Sequence, residues 1–156
     1  MARKGKAIKR EILPDPKYNS VLLSKFINCV MKHGEKSVAE KIVYGALDIV
    51  SDRSKTVGID VFTEALHNVR PLVKVVSRRV GGSNYQIPIE VTEKAGIAIA
   101  FRWIISASRN RSEKSMKECL AAEILSAYKK EGTSVKKRED THKMAEANKA
   151  FAHFRF

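Results

Sequence analysis

The sequence predicts a mainly α, single-domain protein from which one two-stranded β-hairpin protrudes. Three observations lead there. Apolar residues recur at spacings of three and four over most of the chain, the period of a helix with one buried face. One stretch alone, Pro71 to Glu90, breaks that period and reads as strand. The chain has 156 residues, 44% of them hydrophobic, which is the length of one domain with enough apolar surface for a core. The pattern divides the chain into a basic N-terminal extension over 1–19, a helical domain over 20–148 with the hairpin at 72–91, and a basic, aromatic tail over 149–156.

Pro14 and Pro16 end regular structure in the extension. From Ser20, Leu22, Leu23, Phe26, Ile27 and Val30 form one helical face, and Gly34 stops that helix. Ser37 and Glu40 have the spacing of a capping box, predicting a second helix with Val38, Ile42, Val43, Ala46, Leu47 and Val50 on one side. Gly58 precedes a third helix carrying Val61, Phe62, Ala65, Leu66 and Val69, stopped by Pro71. In the hairpin, Val73, Val75, Val76 and Val80 are β-branched and Gly81-Gly82 make the turn. Tyr85, Ile87, Ile89 and Val91 then alternate with Gln86, Pro88 and Glu90. Pro88 cannot donate to a ladder, so its strand needs an open edge, as in a two-stranded ribbon. Such a ribbon is marginal alone, so it must be propped on something or completed by a partner, and the fourth helix with the neighbouring core is the expected prop of its base.

Thr92 can cap that fourth helix, apolar around much of its circumference through Ile97, Ala98, Phe101, Ile104 and Ile105, with Trp103 the one tryptophan. Ser115 and Glu118 repeat the capping-box spacing before a fifth helix, Cys119 to Tyr128, ending near Gly132. From Val135 the chain is charged on every side, and a helix there needs a partner to hold it. The layout is four or five core helices interrupted by a hairpin, with basic ends.

Charge narrows the function. Thirty Lys and Arg against seventeen Asp and Glu give a net charge of +13, a field that draws a polyanion. An anionic membrane is the weaker candidate, since no apolar run approaches the roughly 18 residues of a spanning helix. The N-terminus passes from charge directly to Ile12-Leu13-Pro14, without a secretory apolar region, so Cys29 and Cys119 are expected as reduced, buried thiols in the cytosol. No catalytic or cofactor fingerprint is present: no G-x-S-x-G, P-loop, dinucleotide motif or H-E-x-x-H. Cys29 and His33 share a helix face, but two ligands do not make a structural zinc site. His67 reads as a partly buried structural histidine rather than a general base.

The positive signal is distributed. Arg3, Lys4, Lys6, Lys9 and Arg10 form a basic arm, disordered when free, of the kind that orders on phosphates. Lys74, Arg78 and Arg79 lie on the hairpin, with Tyr85 across the turn. Arg109, Arg111 and Lys114 occupy a polar loop, and Lys136, Lys137 and Arg138 open the charged C-terminal segment, where His142 and His153 are further candidates for phosphate or base contact. Lys and Arg bind phosphates with counterion release. Tyr85, Phe151, Phe154 and Phe156 offer flat faces for unpaired bases, although tail aromatics equally serve as packing anchors. These residues alone leave three classes open: a protein embedded in a structured RNA, an architectural DNA binder that wedges Pro88 into a minor groove, and an enzyme without a recognised motif.

Four stretches narrow that choice: I-L-P-D-P-K-Y at 12–18, S-R-R-V-G-G-S-N-Y-Q-I-P-I-E-V at 77–91, F-R-W-I-I at 101–105, and V-K-K-R-E-D-T-H-K-M-A-E-A-N-K-A-F-A-H-F-R-F at 135–156. They closely resemble the small-subunit ribosomal protein S-seven family, bacterial type, and the resemblance runs the length of the chain. It implies a six-helix domain with a protruding hairpin and no catalysis or cofactor. It implies primary binding to the 3′ major domain of 16S rRNA, nucleating the head of the small (30S) subunit. The protein would sit there as a monomer on the cytoplasmic ribosome, beside ribosomal proteins S-nine and S-eleven. By position, residues Arg3 to Arg10 would be the rRNA-binding arm, and Lys32 and Lys36 would flank an rRNA-facing loop. Lys74, Arg78 and Arg79 would lie on the rRNA side of the hairpin, Arg109 to Ser115 would form a further contact loop, and the C-terminal basic segment would complete the contact. Gly81, Gly82, Ser83, Asn84, Tyr85 and Gln86 would form a tip near the exit-site tRNA and the mRNA. The chain departs from the family pattern at Glu35 and at Glu93, Ala95 and Gly96, where many members are basic; Lys94 partly compensates.

Overall fold

The computed structural model of the chain describes residue 5 and residues 11–154, without the side chains of Val80 and Phe154. The basic arm (Arg3, Lys4, Lys6, Lys9, Arg10) and the tail residues Arg155 and Phe156 lie outside the described residues. The described chain forms α1 (Val21–Val30), α2 (Lys36–Ser54), α3 (Gly58–Val69), a hairpin of β1 (Val73–Val80) and β2 (Ser83–Glu90), α4 (Glu93–Arg109), α5 (Met116–Tyr128), α6 (Thr133–Ala147) and a short 3₁₀ helix, Lys149–Phe154.

The helical periods fold as they read. Leu23, Phe26 and Ile27 of α1, Val43, Leu47 and Val50 of α2, Phe62 and Val69 of α3, Ile104 of α4 and Leu120 and Ile124 of α5 are almost wholly removed from water. Phe26 is the keystone, its ring 4.9 Å from Phe62 and 5.1 Å from Phe101 between centroids, both tilted as aromatic quadrupoles prefer. Two helices share the centre: α5 packs on α2, α3, α4 and α6, and α4 on α1, α3, α5 and α6.

The helix starts differ from their sequence signatures. Ser20 does cap α1, its hydroxyl accepting from the Leu23 N–H. Ser37 and Glu40 form no capping box, because α2 begins two residues earlier than that spacing implies, at Lys36, with Glu35 in the cap position. A tight turn sets that start: His33 and Gly34 are left-handed (φ 54° and 81°), and the Lys36 N–H reaches the Gly34 carbonyl. Val38 consequently stays 47% exposed instead of joining the core. Thr92 and Ser115 do stand at the starts of α4 and α5, but neither hydroxyl accepts a capping bond.

The hairpin pairs Val80 with Ser83, Arg78 with Tyr85 and Val75 with Pro88. Gly81 and Gly82 both have positive φ (57° and 90°), which a two-residue turn matched to the strand twist requires. Among the described residues the sheet consists of these two strands, so Pro88 interrupts no ladder to a third. The prop differs from expectation. It is α6 and the 3₁₀ helix, not α4, that pack against the strands. The Leu72 N–H donates to His142 Nε2 (3.1 Å), the Tyr85 ring meets Phe151 (5.2 Å between centroids), and Ile87 is fully buried.

The polar segment from Val135 is a helix because it has polar partners. Val135 and Ala145 supply its buried apolar surface. Its first turn is fastened by Ser134, whose N–H (3.1 Å) and hydroxyl (2.6 Å) donate to Glu123 Oε1. One turn later the Arg138 guanidinium donates to the Asn68 carbonyl at the end of α3. Asn68 in turn donates to the carbonyls of Ala127 and Tyr128. Two further expectations are corrected here. Cys119 is buried, but Cys29 is exposed, off the apolar face of α1. His67 is exposed, and its neighbour Asn68 is the buried polar residue of α3.

Candidate nucleic-acid interface

Some of the exposed basic residues, from four separated segments, meet along one band of shallow clefts. A cleft of about 280 Å³ is bordered by Lys32 after α1, Glu35 before α2, and Arg109 at the end of α4. Arg109 also walls the next cleft, with Arg102, Cys29 and Asn110. Asn110 continues into a third, with Arg111, Thr133 and Lys137. From Cys29 the band runs the other way into a cleft holding Lys25 and Lys94. Adjacent clefts share walls, so the band is continuous.

Periodicity explains how two helices build it. Lys25, Asn28, Cys29 and Lys32 recur along α1 and its exit on the side away from Phe26, Ile27 and Val30. Lys94, Ala98, Arg102, Ser106 and Arg109 do the same on α4. Lys25 and Arg102 are not among the sequence candidates. Their signal is a polar stripe at helical spacing, hidden because Arg102 sits inside the otherwise apolar run F-R-W-I-I.

The other sequence candidates fall into three groups. Lys32, Lys36, Arg79, Arg109, Lys114, Lys136 and Lys137 are exposed, as are Gly81, Gly82, Ser83, Asn84 and Gln86 at the hairpin tip. Lys36 also pairs with Glu40 at 3.6 Å, an i,i+4 pair weak in water. A second group faces inward. Arg111 Nε lies 2.9 Å from Glu113, and its terminal nitrogen 2.9 Å from Glu123, whose side chain is completely buried. Among the described residues Ser115 Oγ is buried without a hydrogen-bond partner, and Arg138 is held by Asn68 and Glu139. Arg111 and Arg138 are thus held by partners within the chain, while both side chains stay partly exposed.

The hairpin is the third group. Side chains alternate across a strand, so Lys74 and Arg78 share one face with Tyr85 and Ile87, while Arg79 shares the other with Asn84. The three cations therefore cannot all lie on one RNA-facing side. Tyr85 is half-buried on Phe151, which makes Phe151 a packing anchor. His142 is likewise structural. Burial, then the nearby Arg138 charge, lower its pKa below the ordinary 6.5, matching a neutral ring that accepts from Leu72.

Several acids on this surface are neutralised internally. The Arg111 hydrogen bond holds the Glu113 carboxyl below the usual range. Glu93 pairs with Arg70 at 2.9 Å. Gly96 is a packing requirement, since a Cβ there would come within 2.9 Å of Arg70 Cγ and 3.2 Å of the Pro71 carbonyl. Buried Asp15 accepts from the N–H groups of Lys17 and Tyr18 (both 3.1 Å) and from the Tyr44 hydroxyl (2.5 Å). Burial and that carboxylate push the Tyr44 pKa up. This knot ties the D-P-K-Y stretch to α2. Among the described residues no cluster of His, Cys, Asp or Glu is placed to hold a metal ion, and no helix is long and apolar enough to cross a membrane.

A band of cations without an acid–base cluster is the surface of a polyanion binder, and comparison with known proteins gives it a context. The family model described as Ribosomal protein S7p/S5e matches residues 2–149. The chain belongs to that family. Its relatives include small ribosomal subunit protein uS7 of Marinobacter nauticus, 59% identical, and those of Rhodospirillum centenum and Gemmatimonas aurantiaca, each 58% identical. Each alignment spans all 156 residues and the whole of the relative. The S7p/S5e family is one of structural components of the ribosome, not of enzymes.

Proposed function

We propose that the protein binds the 3′ major domain of 16S rRNA through the band described above and nucleates assembly of the small-subunit head. Its general role, a structural constituent of the small ribosomal subunit in the cytoplasm, follows from its family. The observation that carries the finer reading is the convergence of Lys25, Lys32, Lys94, Arg102, Arg109 and Lys137 on one surface. Such a surface meets phosphates of several RNA segments at once, which a helical junction offers and a linear duplex does not. Lys36, Lys114 and Lys136 extend the charge, and Arg3, Lys4, Lys6, Lys9 and Arg10 add the arm. Arg111, Ser115 and Arg138 act by shaping this surface.

In the same reading the hairpin projects its tip, Gly81 to Gln86, towards the exit-site tRNA and the mRNA. Gly81 and Gly82 carry no side chain there, so backbone can approach another backbone closely. Lys74 and Arg78 serve one face and Arg79 the other. Ribosomal proteins S-nine and S-eleven are the proposed neighbours, and the protein acts as a monomer within the subunit.

The test is binding of the full chain to the isolated 3′ major domain across a salt series, against unrelated RNA of equal length. Selective binding is expected. With Arg102→Ala and Arg109→Ala together, affinity falls and the slope of log K against log salt shrinks by about one for each phosphate no longer neutralised. Equal binding of both RNAs by the wild type would refute the reading.

A further inference from the structure

We propose that Asp15, held by the Tyr44 hydroxyl, is a positioning residue: it fixes the root of the basic arm at one end of the cationic band, so that arm and band engage one RNA together. This rests on the proposed function, and neither side chain is asked to touch RNA. Asp15 is 3% exposed although it lies ahead of α1. One carboxylate oxygen accepts from the N–H groups of Lys17 and Tyr18, and the other from the Tyr44 hydroxyl of α2. Its main chain is fastened as well. The Asp15 N–H donates to the Ser20 carbonyl (3.2 Å), and the Asp15 carbonyl accepts from the Asn19 N–H (2.7 Å). Asn19 is left-handed (φ 48°), which closes this loop. Lys17 adds a second tie to α2, 3.2 Å from Asp48.

None of these bonds joins one core helix to another. Helix α1 is already capped by Ser20 and seated by Leu23, Phe26 and Ile27. What the clasp fixes is the chain before it. Pro14 and Pro16 flank Asp15 with locked φ, and Leu13 and Asp15, each preceding a proline, are restricted in turn. The direction set at Asp15 is therefore carried back to Ile12. Ile12 walls the cleft that holds Lys25 and Lys94 at the end of the band. The nearest arm cation, Arg10, stands two residues before Ile12. Two cationic segments of one chain act as a bivalent binder, whose gain depends on the length of chain between them. With the clasp closed, the fixed point nearest the arm is Asp15, five residues after Arg10. With it open, the next is Val21 at the start of α1, eleven residues after Arg10. Effective concentration falls as roughly the −3/2 power of that length, so opening the clasp lowers affinity about threefold.

The experiment measures binding of the full chain to the 3′ major domain RNA. Tyr44→Phe and Asp15→Ala are each expected to weaken it about threefold, with the salt slope kept because the same phosphates are met. In a chain carrying Arg3→Gln, Lys4→Gln, Lys6→Gln, Lys9→Gln and Arg10→Gln, the same two substitutions are expected to cost nothing further. A third variant leaves the clasp untouched: about five glycines inserted between Arg10 and Glu11 lengthen the tether as opening does, and are expected to reproduce the loss. Equal losses from Tyr44→Phe and Asp15→Ala in the charged-arm and neutral-arm chains would overturn the proposal, because the clasp would then serve the domain itself. Wild-type affinity of the glycine variant would overturn it as well. Absence of selective binding by the wild type would instead remove the reading on which it rests.

Discussion

The two halves of this molecule are held together by different physics. The α1–α5 core rests on apolar burial, centred on Phe26 between Phe62 and Phe101. The unit made by α6, the 3₁₀ helix and the hairpin is fastened by individual polar contacts: Glu123 to Ser134, Arg138 to Asn68, and His142 to Leu72. Burial is non-directional and spread over many atoms, so one weak contact matters little. A polar clamp is directional and singular, so its loss frees one element while the rest stands. The core can therefore stay fixed while the position of the hairpin depends on a few groups.

Three perturbations test that contrast. The largest effect is expected from Phe26→Ala, which empties the centre of the core and costs about 3–5 kcal/mol. Denaturant unfolding would read it, with all elements melting together; loss confined to α6 would contradict the contrast. Arg111→Met comes next. It leaves the fully buried Glu123 carboxylate without its cation, and removing one partner of a buried pair costs about 3 kcal/mol or more. Here hydrogen exchange should rise first over 133–147, because Glu123 is also the anchor of Ser134. Uniform loss of protection would place the pair in the core instead.

The smallest effect is that of pH. His142 has a folded-state pKa below the ordinary 6.5, so the folded form favours the neutral ring. Below 6.5 the unfolded chain binds the proton more readily, and stability declines as pH falls. The contribution is complete above about pH 6.5 and is lost on descent through the lowered folded value. One hydrogen bond of about 1 kcal/mol is at stake. Amide exchange at Leu72 and along the hairpin base should quicken between neutral and mildly acid pH, with the core unaffected. His142→Gln should flatten that response.

The same contrast marks what could be read from the sequence. The core helices were legible because burial imposes a period, and Leu23, Phe26, Ile27 and Val30 display it without ambiguity. The hairpin was legible because Gly81-Gly82 admits few other geometries. Its prop was not, since α6 carries little apolar surface and its docking depends on Glu123, which lies on the apolar face of α5 between Cys119 and Ala127. An acid at that spacing signals a buried partner, but the partner, Arg111, is set by tertiary structure. For the same reason Arg111 and Arg138 read as surface cations while in fact turning inward. The capping-box spacing misled at Ser37, where a left-handed turn at His33-Gly34 starts α2 earlier, whereas Ser115 does stand at the cap of α5 and lacks only the side-chain bond. The interface was legible piecewise: Lys32, Arg109 and Lys137 were each visible, and only folding brings them to neighbouring clefts.

The contact between Tyr85 and Phe151 also has a meaning in time. A chain is made from its N-terminus, and residues 149–154 follow the hairpin by more than a third of the length of the sequence. The strands can pair, and the core can form, while the ring that supports Tyr85 has not yet been synthesised. The hairpin therefore acquires its final support late, when α6 and the 3₁₀ helix dock against it. An incomplete chain would have a formed core and an unsupported ribbon, so a settled hairpin reports that the polypeptide has been made through Phe151.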